Sequence, residues 1–373
     1  MSNKREIPFT ELCERAQRTA REDAINVIPK YKGFVNDVCI KMFPRIFDWR
    51  PLLRTSYIQC SARYNTGSVS VAVASTALTG VGTVWTAAMT SANGWKIKFV
   101  GNDNIYDFDY VSATTATITP ALSGSVAIAS NGYELVRDTY SLHSTFDRFL
   151  INGGLEWTRN GLPEIIMECP EDQWKDEFQS LSSSQIQRMR TLGEEDSSGY
   201  KQVQINPPPQ TALLVPYDFI KELLPMTDYT TGTITTLANG SLNVTGLGTQ
   251  WAGYLQTGYT YYFRIDDDGT GDASVWYKVS SAGSATGLVL AETYNGTSIA
   301  AGTSKYTISM VPEWPAAFHD AILYKAAAMG IADGDDPMFK YYELLTKTAI
   351  DELKTIYKTR TYNKAVAVDM DRR

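Results

Sequence analysis

Histidine is almost absent from this 373-residue chain, which has only His143 and His319, and cysteine is scarce at four residues. Neither histidine sits in a triad or a metal-ligand pattern, and there is no Gly-x-Ser-x-Gly elbow, Walker A loop or HExxH pair. The common routes to nucleophilic, nucleotide and zinc chemistry therefore have no foothold. His319, beside Asp320 in the first turn of a predicted helix, reads as an ordinary surface or capping residue. Cys13, Cys39, Cys60 and Cys169 show no CxxC spacing and read as reduced, buried thiols. No apolar run reaches the roughly 18 residues that a membrane helix needs. The opening Met1-Ser-Asn-Lys-Arg-Glu-Ile-Pro leads into a charged amphipathic segment, which does not resemble a signal peptide. Positive charge is short as well: 34 Lys+Arg against 41 Asp+Glu leaves a net charge of −7, which disfavours tight nucleic-acid binding. With only 20% charged residues, much of the surface must be polar and uncharged, as in Ser/Thr/Gly/Asn-rich β-structure.

What the chain has in quantity is aromatics, with 22 Tyr, 13 Phe and 8 Trp, and a repeat. Leu78-Thr79-Gly80-Val81-Gly82-Thr83-Val84-Trp85 matches Val244-Thr245-Gly246-Leu247-Gly248-Thr249-Gln250-Trp251 at an offset of 166. The match continues as Gly94–Phe99 against Gly258–Phe263, Tyr110–Ala113 against Lys278–Ser281, and Ser123-Gly124 against Asn295-Gly296. A period this long means a duplicated domain, not a solenoid. Two copies of one small antiparallel β-module are expected, at about 67–138 and 229–311, because short alternating Val/Ile/Thr/Tyr runs are punctuated by turn residues. In each, the Gly-x-Gly step (Gly80/Gly82, Gly246/Gly248) is expected to supply positive φ at a corner that folds Trp85 or Trp251 back as a core plug. A phosphate cradle would need a third glycine and a following helix, which are missing.

The flanks read as helical. Thr10 is placed as an N-cap ahead of Leu12, Ala16, Ala20 and Ala24. A second helix carries Phe34, Val35, Val38, Cys39, Met42 and Phe43 and is expected to end at Pro44. Near the other end, Phe318, Ala321, Ile322 and Met329 mark a helix after Pro315. Asp336-Pro337 then caps a long one with Met338, Tyr342, Leu345, Ala349, Leu353 and Ile356 on one stripe. Between the modules, Leu162–Glu168 reads as a strand and Pro170 as the start of a short helix carrying Trp174, Phe178 and Leu181. A polar stretch covers 182–199, and Tyr200–Ile205 and Ala212–Tyr217 read as two strands joined through Pro207-Pro208-Pro209. The expected class is α+β: a discontinuous helical core, made of an N-terminal helical part (1–66), a mixed α/β segment (139–228) and C-terminal helices with an arm (312–373), carrying the two homologous β-domains as insertions.

Acidic clusters give no catalytic site by themselves. Asp266-Asp267-Asp268-Gly269-Thr270-Gly271-Asp272 reads as a solvated hairpin tip, since EF-hand spacing and its terminal Glu are missing, and Asp333-Gly334-Asp335-Asp336 reads as a loop with a helix cap. No catalytic residue, metal ligand or cofactor is assigned. Abundant aromatics with almost no histidine suggest a structural protein, not an enzyme.

The order of segments resembles the head-to-tail adaptor (connector, or neck) proteins of tailed, especially short-tailed, bacteriophages. The resemblance is carried by Phe47-Asp48-Trp49-Arg50 after the first helices, by Tyr140–Leu150, by Pro170-Glu171-Asp172-Gln173-Trp174, by Tyr200–Asn206 running into Pro207-Pro208-Pro209, and by the closing helix pair. The two β-modules resemble small domains that decorate phage virion proteins and depart from the compact family core. The resemblance implies a ring at the virion's head–tail junction, usually of twelve copies, that extends the DNA channel beneath the portal and offers a platform to tail and nozzle proteins. Genomic DNA would pass without specific binding, as suits an acidic chain, and no membrane is involved. It also implies that the polar tail reaches the portal, with Lys358, Arg360, Tyr362, Lys364, Val366, Val368, Arg372 and Arg373 as interface candidates. The competing expectation is a receptor- or glycan-binding fibre or baseplate component; a virion cell-wall hydrolase and a capsid decoration protein are further alternatives.

Overall fold

The computed structural model describes residues 5–22, 27–102, 104–124, 127–150, 153–159, 162–169, 174, 186–196, 198–267, 275–331, 334 and 336–357. The chain opens with α1 (Phe9–Thr19), α2 (Ile28–Asn36), a π-helical turn (Asp37–Met42) and α3 (Phe43–Ile46). Strands follow: β1 (Leu53–Cys60), β2 (Ser68–Val71), β3 (Ala77–Val81), β4 (Trp95–Phe99), β5 (Ile105–Tyr110), β6 (Thr115–Thr119), β7 (Ile128–Asn131) and β8 (Tyr133–Arg137). The middle of the chain holds β9 (Thr139–Ser141), β10 (Phe146–Phe149), β11 (Gly154–Arg159), β12 (Leu162–Met167), β13 (Arg188–Glu195), β14 (Lys201–Asn206) and β15 (Leu213–Lys221). Then come β16 (Asp228–Tyr229), β17 (Thr233–Leu237), β18 (Asn243–Leu247), a helical turn α4 (Trp251–Tyr254), β19 (Tyr261–Asp267), β20 (Tyr277–Ala282), β21 (Gly287–Leu290) and β22 (Ile299–Met310). Helices α5 (His319–Gly330) and α6 (Pro337–Tyr357) complete the described chain, which is α+β.

Contacts divide the chain into two units, Met1–Pro51 with Leu223–Arg373, and Leu52–Glu222. Each contains one β-module, so the segment after the first module groups with that module and not with the helices. In the first unit β22 pairs with both β17 and β19, closing the order β22-β17-β18-β21-β20-β19 into a barrel. In the second unit the order β7-β2-β3-β6-β5-β4-β8 is the same path, with the closing strand divided at Gly132 into β7 and β8. The alternation is direct: β3, β6 and β18 all read exposed-buried-exposed-buried-exposed, so each side chain's face follows from its parity.

The pairings also correct the alignment of the copies. Trp95 lies opposite Arg137 and Phe99 opposite Tyr133, while Tyr261 lies opposite Met310 and Ile265 opposite Tyr306. Trp95 therefore corresponds to Tyr261, preserving the offset of 166 where the sequence match had slipped by two residues. A slip of two is invisible to a period-two pattern. Tyr110–Ala113 likewise does not correspond to Lys278–Ser281, because Tyr110 pairs with Ala116 and its counterpart Ala282 with Leu288. Ser123 and Asn295 do correspond, each donating its backbone N–H to the hydroxyl of the matching tyrosine, Tyr106 or Tyr277.

Around the second barrel, α1 buries Leu12, Cys13, Ala16 and Gln17, and it packs on α5 with α2 and α6 alongside. Trp49, Trp314 and Phe318 meet in edge-on and tilted ring contacts of 4.8–6.1 Å. Pro8, not Thr10, occupies the N-cap of α1, and Thr10 lies inside the first turn. Pro44 does not end the second helix: the helical run passes from α2 through the π-turn and Pro44 to Ile46. Asp336 caps α6 as read, its carboxylate accepting the Met338 N–H at 2.7 Å, but Ile356 is exposed and Thr346 joins the buried face instead. In the other unit, β1 and β13 arise from segments read as helical and as polar linker. Their sequences, LRTSYIQC and RMRTLGEE, carry too few apolar residues to announce a strand. Of the short helix expected from Pro170, only Trp174 lies within the described residues.

A Cβ built on Gly80 would lie 2.7 Å from Thr83 Cγ2 and 2.9 Å from Trp85 Cη2, and one on Gly246 2.7 Å from both Thr249 Cγ2 and Trp251 Cη2. Gly80→Ala and Gly246→Ala are each expected to destabilise the unit that carries them by about 1–3 kcal/mol. Calorimetry of each variant, resolving which transition moves, checks this.

Candidate functional site

The six corner residues assigned from sequence form one structure, built twice. Residues 78–85 and 244–251 have the same burial pattern position by position. Only the second glycine of each pair takes positive φ, +69° for both Gly82 and Gly248; the first is glycine for lack of space against Trp and Thr. Trp85 and Trp251 are buried, and each indole Nε1–H donates to a tyrosine hydroxyl, Tyr133 at 3.0 Å and Tyr306 at 2.9 Å. Those hydroxyls donate onward to the carbonyls of Thr66 (2.7 Å) and Thr231 (2.5 Å). Thr83 and Thr249 donate to the carbonyls of Ala113 and Ala285 at 2.8 and 2.7 Å. The amides of Val84 and Gln250 donate to the hydroxyls of Tyr64 and Tyr229.

These partners were missed from sequence, although a signal exists: Tyr64-Asn65-Thr66-Gly67 and Tyr229-Thr230-Thr231-Gly232 share Tyr-x-Thr-Gly at an offset of 165. Gly67 (φ +86°) and Gly232 (φ +85°) let this segment approach the corner backbone, which a side chain would block. Burial raises the pKa of both Tyr133 and Tyr306, so they remain neutral donors. At the tip of each corner the middle residue is apolar and two-thirds exposed, Val81 and Leu247 at 67% each.

One buried carboxylate ties each barrel to its own unit. Asp228 Oδ1 accepts from Thr10 of α1 (2.6 Å) and Ser309 of β22 (2.7 Å), while Oδ2 lies 2.8 Å from Lys32 Nζ of α2. In the other unit Asp138 Oδ2 accepts from Lys96 of β4 (2.7 Å) and Gln204 of β14 (2.6 Å). Asp266, expected at a solvated tip, lies in β19, where it accepts from Thr307 (2.7 Å) and Arg264 (3.2 Å). Arg264 also bonds Glu14 of α1 and stacks over Trp276, at 4.5 Å from the ring centroid. Residues 268–272 of that acidic run, and Asp333 and Asp335 of the other, lie outside the described residues, as do all eight tail candidates from Lys358 to Arg373.

His319 is not on the surface. It is fully buried, its Nδ1 accepting the Ile7 N–H at 3.0 Å and its Nε2 lying 3.1 Å from the Trp314 carbonyl. Burial pulls its pKa down to about 4, and the ring is neutral with the proton on Nε2. Cys13, Cys39 and Cys60 are buried thiols whose pKa burial raises, Cys60 to about 12, so none is an activated nucleophile. Among the described residues no group of three or more His, Cys, Asp or Glu could hold a metal ion. An open depression of about 230 Å³, lined by residues including Leu224, Pro225, Tyr254, Tyr261 and Met310, contains no carboxylate, histidine or cysteine. No helix among the described residues is long and apolar enough to cross a membrane. No protein-family model matches the chain, and neither a curated protein nor a solved structure does.

Tyr133→Phe and Tyr306→Phe strand a buried indole N–H, a loss of about 1–3 kcal/mol each that urea unfolding will read as a lower midpoint. His319 binds its proton more weakly folded than unfolded, so its contribution to stability is complete above about pH 6.5, the unfolded value, and declines as the pH falls toward 4. Over that window the slope from this one group is at most about 1.4 kcal/mol per pH unit. A stability–pH profile of His319→Gln is expected to lack that component.

Proposed function

We propose that the chain is a structural virion subunit, a head-to-tail adaptor that forms a ring beneath the portal, extends the DNA channel and gives the tail its platform. The observation that carries the reading is the use made of the polar and aromatic groups. The Trp–Tyr–Thr chains, Asp228, Asp138, Arg264 and His319 are engaged in holding barrels and helices together, as a load-transmitting scaffold requires. The order of segments described above supports the same reading, as does a net charge of −7, which keeps passing DNA from adhering.

The partners in this reading are the portal protein, further copies of the chain, and tail or nozzle proteins, at the head–tail junction of the virion. Lys358–Arg373 is the segment proposed to face the portal. The glycan-binding alternative would gain support from exposed Trp or Tyr platforms on the modules; the module tryptophans Trp85, Trp95, Trp251 and Trp276 are buried.

Electron microscopy of the purified chain, alone and mixed with the portal protein from the same genome, tests the proposal. The expected result is a portal-capping ring with an open channel, lost on deleting 358–373 while each unit keeps its unfolding transition. No association between the two folded proteins overturns the adaptor reading, and normal attachment of the truncated chain overturns the role given to the tail.

A further inference from the structure

Strand β1 is the outer member of the sheet β1-β15-β11-β12, and no described strand pairs with its other side. Proteins normally blunt such an edge with a proline, a bulge, inward charge or a very short strand. β1 has neither a proline nor a bulge: it runs eight residues, its register with β15 is unbroken from Leu53 opposite Ile220 to Cys60 opposite Leu213, and Arg54 near its start is its one charge. On its outward face Tyr57 stands 62% exposed between Thr55 and Gln59, and Leu214 of β15, opposite Gln59, is 65% exposed. An unpaired ladder edge of this length is a template for one more strand.

The chain itself carries a matching segment outside the described residues. Beyond Tyr357 remain sixteen residues, among them Lys364-Ala365-Val366-Ala367-Val368-Asp369-Met370, a short-period alternation of alanine with β-branched valine. Laid antiparallel along β1 with Val366 opposite Tyr57, this segment puts Val368 opposite Thr55 and Lys364 opposite Gln59 on the outward face. Small Ala365 and Ala367 then fall opposite Ile58 and Ser56 on the inward face, and Asp369 falls opposite Arg54, joining opposite charges at the strand's end.

We infer that residues 364–370 of one copy add as an antiparallel strand to the β1 edge of a second copy, making this edge a self-assembly contact. The contact is independent of the portal. Portal docking of the tail, proposed above, would compete with it for the same residues.

Disulfide trapping between copies, without portal, tests this in a Cys169→Ser background, since the other cysteines are buried. Equimolar Tyr57→Cys and Val366→Cys chains are expected to form a mixed dimer on non-reducing gels at several-fold higher yield than Tyr57→Cys with Ala367→Cys, whose side chain falls on the opposite face. Val366→Asp with Val368→Asp should shift sedimentation toward monomer with each unit still folded. Equal yields at 366 and 367, or no mixed dimer from folded chains, overturns the inference. So does a Tyr57→Cys, Val366→Cys double variant that closes only within one chain.

Discussion

The structure depends on a buried line of hydrogen bonds that occurs twice: indole N–H to tyrosine hydroxyl to threonine carbonyl. Indole and phenol bring large apolar area into a small barrel, but each also brings a polar atom that is costly to strand there. Joining the two satisfies both and fixes the last strand, which carries Tyr133 or Tyr306, against the corner that carries Trp85 or Trp251. The line thus joins the entering segment (Thr66 or Thr231), the corner and the closing strand in the finished barrel. This explains why the Gly, Thr and Trp of the corner, with the Tyr-x-Thr-Gly segment and the closing tyrosine, are identical in the two copies.

The same barrel is held to two different surroundings by different means. In one unit a carboxylate just before the barrel gathers two helices and the closing strand; in the other a carboxylate just after it gathers a lysine of the barrel and a glutamine of the neighbouring sheet. Neither carboxylate has a counterpart at the equivalent position, where Arg63 and Val311 stand. The barrels are therefore one repeated element with different attachments. The attachments are where the two copies differ in chemistry.

Much of this was legible in advance, and the remainder was hidden for physical reasons. The corners stood out because a packing plug next to a residue with no room for a Cβ tolerates little substitution. The alternation of the barrel strands was legible too, but not their register, since moving a strand by two residues leaves the same side chains facing inward. β1 and β13 were lost because a half-exposed strand with polar side chains has neither helical nor strand periodicity in its apolar residues. His319 looked like a capping residue because nothing in the local sequence reports that Ile7, more than three hundred positions away, donates to its ring. Among the site residues, the corner was read from chemistry, whereas the tail was assigned through resemblance alone.

The ends of each barrel are hydrogen-bonded neighbours. Tyr64 and Leu135 exchange backbone bonds of 2.9 and 2.8 Å, and Tyr229 pairs with Ile308. Entry and exit therefore lie side by side, so the surrounding chain has only a short gap to bridge at each barrel. A domain with this geometry behaves as a cassette: it can be gained, doubled or exchanged in a lineage without redrawing the fold that receives it.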